Sequence, residues 1–108
     1  MELTINFSLV CTSLQGPEQA SIIARELINQ KLAICCWIRP MHSAIYAWEG
    51  DIREEMECEL ICKTIPNKVQ EIKAVIEKLH PYEVPYIAVF EGNILHDGYG
   101  KWMGESLS

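Results

Sequence analysis

The chain has 108 residues, 49% of them hydrophobic, which is enough for one core and one domain over residues 1–108. Its formal net charge of −6 repels phosphate backbones, so nucleic acid is not an expected partner. No apolar run approaches the roughly 18 residues of a membrane span, and Met1-Glu2-Leu3 lacks a signal-peptide pattern, so membrane insertion is not expected and a cytoplasmic location is. The 5 cysteines are odd in number and sit in apolar segments, which suits reduced, buried thiols.

Leu3 to Cys11 alternates, with Leu3, Ile5, Phe7, Leu9 and Cys11 on one side and Thr4, Asn6 and Ser8 on the other. That period predicts a strand with the first set buried. Pro17 and Glu18 then suit the first turn of a helix. Its apolar stripe is Ala20, Ile23, Ala24, Leu27 and Ile28. Leu32 to Ile38 is apolar without alternation, as in a strand covered on both faces. In a domain this small, the second cover is expected to be another subunit. Arg39-Pro40 is expected to end that run, and Ser43 to Glu49 to form the next strand.

Gly50-Asp51 marks a turn. Glu55 to Ile65 alternates again, with Met56, Cys58, Leu60 and Cys62 opposite Glu55, Glu57, Glu59 and Lys63. These strands are expected to make a long hairpin ribbon that reaches past the core. Pro66 to Leu79 is predicted as a second amphipathic helix with the stripe Val69, Ile72, Val75, Ile76 and Leu79. Pro81 disfavours helical geometry at His80, so the helix should close there. His80-Pro81-Tyr82-Glu83-Val84-Pro85 is thus a stiff corner leading into an apolar strand at Tyr86 to Phe90. Gly92-Asn93 is expected to turn the chain, and Asp97 to Leu107 to form a short tail helix weakened by its glycines.

The order β-α-β-β-(β)-α-β predicts an α+β, ferredoxin-like fold: an antiparallel sheet with two helices on one face. In that fold the first and last strands are antiparallel neighbours, which brings Cys11 close to the His80–Pro85 corner. Cys11, His80 and Glu83 are therefore the best candidate metal ligands, a thiol and imidazole suiting copper, or less readily zinc, with a carboxylate to complete the set. The alternative is that Cys11 is a small core residue and His80 caps a helix. Cys35-Cys36 points to opposite faces, and Cys58 and Cys62 lie about 13 Å apart along a strand, so neither makes a chelate. Glu55, Glu57 and Glu59 stack acid on one strand face, a charged edge unless Lys63 or Arg53 pairs with them in a subunit contact. Trp37, Tyr46, Trp48, Glu49, Tyr82, Tyr86 and Trp102 are candidates for an intersubunit cleft or interface. No catalytic motif is present, and an enzyme is not expected.

Val10-Cys11-Thr12, Ala24-Arg25-Glu26-Leu27 with Lys31-Leu32-Ala33, Tyr46-x-Trp48-Glu49-Gly50, Lys63-Thr64 and His80-Pro81-Tyr82-Glu83-Val84-Pro85 follow one another in an order that resembles the divalent-cation-tolerance family, CutA. The resemblance covers nearly the whole chain. It implies a homotrimer of ferredoxin-like subunits similar to the PII signal proteins, with hairpins pairing between subunits. It also implies copper binding, with Cys11 and His80 as ligands, and no cofactor required for folding. A small molecule or protein partner in clefts between subunits is the alternative it leaves. Leu79 stands where some bacterial members carry a second histidine, and Gly98, Gly100 and Gly104 depart from the family's tail.

Overall fold

The computed structural model describes residues 5–108. Its order is β1 (Ile5–Leu14), α1 (Pro17–Asn29), β2 (Cys35–Trp48), β3 (Asp51–Thr64), a 3₁₀ turn (Pro66–Lys68), α2 (Val69–Leu79), β4 (Ile87–Ile94) and α3 (Asp97–Ser106). The sheet order is β2-β3-β1-β4, antiparallel throughout. This is the expected α+β, ferredoxin-like arrangement.

The core lies between one sheet face and two helices. Val10 and Leu14 of β1, with Cys58, Leu60 and Cys62 of β3, meet Ala20, Ile23, Ala24 and Leu27 of α1 and Ile72 and Ile76 of α2. In β1 the buried side is the reverse of the one expected. Ser8, Val10, Thr12 and Leu14 face the helices, while Ile5, Phe7, Leu9 and Cys11 take the opposite face. Alternation gives the period of a strand but not its phase when both sides carry apolar groups. Leu3, the first residue of the expected strand, lies outside the described residues. Ile28 and Leu79 close neither helix stripe and stay exposed, at 43% and 38%, beside the buried Leu27 and His80.

α1 ends in a Schellman motif. Lys31 adopts φ 57°, and the Leu32 and Lys31 amides donate to the Leu27 and Ile28 carbonyls at 2.9 and 3.0 Å. Leu32 and Ala33 are buried in this turn rather than in a strand. The strand begins at Cys35, and in a single chain Trp37 and Ile38 are 41% and 38% exposed, so two-sided cover is not supplied by this chain.

Pro40 does not end the strand. β2 runs through it with a bulge between Arg39 and His42, a place where a missing N–H costs no ladder bond. The bulge shifts the side-chain phase. Beyond it His42, Ala44, Tyr46 and Trp48 stand opposite Glu57, Glu55, Arg53 and Asp51, all on the face away from α1 and α2. Glu49 and Gly50, at φ 50° and 83°, make the two-residue turn whose two positive φ values match strand twist. The ribbon extends the molecule to 54 Å against 26 and 22 Å in the other directions.

Gly92 is not a turn. β4 continues through it to Ile94, and the Phe7 ring occupies the space of its missing side chain. The tail helix forms despite its glycines because Gly100 lets α3 approach Ile5, and Met103 and Leu107 are buried.

Candidate functional site: the corner and the cleft beside it

His80 closes α2 with extended geometry, ψ 132°. Its Nδ1 accepts the Tyr82 amide at 3.1 Å, so its Nε2 carries the proton and donates to the Ser13 carbonyl at 2.9 Å. The ring of Tyr82 packs edge-on against the imidazole, centroids 4.8 Å apart. The topology expected for Cys11 is realised, since Cys11 pairs with Ala88 and Thr12 with Ile87, just past the corner. What His80 touches is Ser13, two residues further along β1.

Both imidazole nitrogens are engaged by backbone, leaving no free lone pair. Burial, and then the Glu59 carboxylate, push the Cys11 thiol up and keep it protonated, with its Sγ 4.0 Å from the Leu9 carbonyl. Glu83 is exposed. Among the described residues no three His, Cys, Asp or Glu side chains converge on a metal-sized point. Within one chain, therefore, Cys11, His80 and Glu83 do not fit copper as they stand.

The corner instead forms one wall of a cleft of about 460 Å³. Tyr46 and Trp48 of β2 and Glu55 and Glu57 of β3 form the facing wall, with Tyr82, Glu83 and Tyr86 on the corner side. Tyr82 donates its hydroxyl to Glu57 Oε2 at 3.0 Å. Burial, then this carboxylate, raise the Tyr82 phenol. Burial and the Glu55 carboxylate raise Tyr46 likewise. The Tyr82 phenol is the donor that holds the Glu57 carboxylate in place. Arg53 is the cation lining the cleft. The arrangement offers carboxylate oxygens and aromatic faces together, which is the chemistry that receives an organic cation.

The remaining candidates lie elsewhere. Lys63 donates to the Tyr99 hydroxyl at 2.7 Å and stands 4.8 Å over the Trp37 ring, so it does not pair with the acid stack. Arg39 does, weakly, at 3.8 Å from Glu59. Trp102 packs edge-on against Tyr99 on α3 and is half exposed. Glu49 sits in the ribbon turn. Ser13 was missed by sequence reasoning because its carbonyl, a group every residue has, is the functional part.

The sequence matches the family model of the CutA1 divalent ion tolerance protein over residues 8–106. The chain belongs to this family. The divalent-cation tolerance protein CutA of Thermococcus kodakarensis is 39% identical over 99 residues, covering 92% of this chain and 94% of its own. The crystal structure of CutA1 from Ehrlichia chaffeensis superposes with a TM-score of 0.90 at 28% identity, covering 99% of each chain. The periplasmic divalent cation tolerance protein CutA of Archaeoglobus fulgidus gives 0.89 at 25% identity, over 94% of this chain and 99% of its own. CutA membership agrees with the resemblance in the W-E-G and H-P-Y-E-x-P elements.

Proposed function

We propose that this CutA-family chain contributes to divalent-cation tolerance as a homotrimeric binding protein of the PII-like kind. It takes a small organic cation, or a basic segment of a partner protein, in the cleft beside the His80 corner. The cleft carries this reading: Tyr46, Trp48, Tyr82 and Tyr86 surround Glu55, Glu57 and Glu83 in a concavity of ligand size. Self-association is supported by the sheet face away from α1 and α2, where Trp37 and Phe90 are left 41% and 58% exposed in the single chain. The role is binding and signalling rather than catalysis. A cytoplasmic site of action fits its 5 free cysteines, although the A. fulgidus relative is described as periplasmic.

Direct copper binding by Cys11, His80 and Glu83 is the second reading. It is favoured by the placement of Cys11 two residues from the Ser13 carbonyl that holds His80. It requires His80 to release one of its two backbone partners. Native mass spectrometry of the reduced protein tests the assembly, and a folded species of 12.3 kDa at high concentration overturns it. Thermal shifts with alkylammonium and guanidinium compounds test the cleft. Stabilisation lost in Trp48→Ala and Glu57→Gln is expected, and no stabilisation by any of them refutes the ligand class. Copper(I) retained by wild type and lost in Cys11→Ser would establish the second reading.

A further inference from the structure

Cys36 and Cys62 are a directly opposed pair on β2 and β3. In an antiparallel ladder such residues share a face with Cβ atoms about 4.5–5.5 Å apart. The face is the one toward α1, where Cys36 also lies 4.0 Å from the Ala24 carbonyl. Cys62 is fully buried, while Cys36 is only partly so. The difference matters, because Cys36 forms part of the wall of an open groove between α1 and β2, with Ile22, Arg25 and Ile38 among its neighbours. The groove is an access route from solvent to a thiol pair whose second member is otherwise sealed.

We propose that Cys36 and Cys62 form a two-coordinate site for a soft, closed-shell cation of the copper(I) class. Two metal–sulfur bonds of about 2.3 Å each span about 4.6 Å, comparable to the Cβ separation of facing ladder positions. Two thiolates in line satisfy copper(I). Zinc wants four ligands, and among the described residues no third His, Cys, Asp or Glu joins the pair. Cys58 is on the same face but about 13 Å along the strand.

The two thiols also differ in how readily each gives up its proton. The neighbouring Cys62 side chain lowers the Cys36 thiol against the opposing effect of burial. The same contact, followed by burial, raises Cys62. Cys36, at the groove, is the thiol that meets the ion first, and Cys62, fully buried behind it, closes the site. Binding breaks two S–H bonds and forms two metal–sulfur bonds. Two protons leave per ion, and no electron is transferred. The site uses neither Cys11 nor the cleft and does not rest on the function proposed above.

The test is an anaerobic titration of the fully reduced protein with copper(I) held by a competing chromogenic chelator. The expected result is one ion per chain with two-sulfur coordination in X-ray absorption. Its affinity should fall by about a hundredfold per unit of pH on the acid side, as release of two protons requires. Cys36→Ser, at the partly exposed position, should lose the ion. Cys62→Ala should do the same, with far-ultraviolet circular dichroism reporting its fold. Cys11→Ser and Cys35→Ser should keep it. Retention of the ion in Cys36→Ser, or its loss in Cys11→Ser with Cys36 intact, overturns the proposal. So does a wild-type protein that takes no copper(I) but forms a Cys36–Cys62 disulfide when exposed to oxidised glutathione.

Discussion

Tyr82 and Glu57 join two parts of the chain that are 25 residues apart, the phenol donating to the carboxylate at 3.0 Å. The bond ties the corner after α2 to the base of the β2–β3 ribbon, and it closes one side of the cleft. Replacing Tyr82 with Phe removes one partly buried, charge-assisted hydrogen bond. A loss of about 1–2 kcal/mol in unfolding free energy is expected, with loosened ligand response in the cleft. Denaturant unfolding and the thermal-shift panel measure both.

The same bond sets a pH dependence. Burial and Glu57 raise the folded-state phenol above its ordinary value of about 10. Above that pH the unfolded chain releases the proton while the folded chain keeps it. Stability contributed by Tyr82 is therefore full below pH about 10 and declines as pH rises beyond it. Unfolding of wild type and Tyr82→Phe at increasing pH should show the gap between them narrowing on the alkaline side. A gap constant across that range would contradict the assignment.

The His80 ring holds the backbone of Ser13 and Tyr82 by hydrogen bonds, with the Tyr82 ring packed edge-on beside it. His80→Ala leaves a part-buried carbonyl and amide without this partner, and should cost about 1–3 kcal/mol in metal-free protein. A purely metal-binding histidine would show no such cost in the presence of a chelator.

Two glycines of α3 should respond in opposite ways to the same substitution. A Cβ at Gly104 meets nothing within 4 Å, so Gly104→Ala should stabilise by about 0.5–1 kcal/mol through helix propensity. A Cβ at Gly100 would stand 2.9 Å from Ile5 Cγ1 and 3.3 Å from Ile5 Cβ. Gly100→Ala should therefore lift the tail from β1 and lower stability, despite the same gain in propensity. Thermal midpoints of the two variants, compared with wild type, decide it.

Thr12 and Ser8 place hydroxyls in the core without hydrogen-bond partners. Thr12→Val keeps the shape and removes the unsatisfied group, so a gain of about 1 kcal/mol is expected. The denaturant midpoint should rise with an unchanged slope.

The amphipathic helix after Pro17, the one read over Pro66 to Leu79 (its first turn 3₁₀ in the structure), the proline corner after His80 and the alternation read over Glu55 to Ile65 were legible in the residues themselves. Each is a local pattern whose period or backbone restriction acts within a few positions. Family membership was legible for a similar reason, being carried by short motifs in order. Which side of Ile5–Leu14 is buried was not legible, because apolar residues line both sides and only the docking of α1 and α2 chooses between them. Nor was the reach of β2 through Pro40, since a bulge depends on the partner strand it is paired with. That bulge swings Tyr46 and Trp48 onto the face of Glu55 and Glu57 and so creates the cleft. The pairing of Cys36 with Cys62 is likewise a matter of register. The sequence by itself determined the elements and their order. The tertiary structure alone decided which side chains meet, because contacts between distant strands depend on register and phase, which no local pattern encodes.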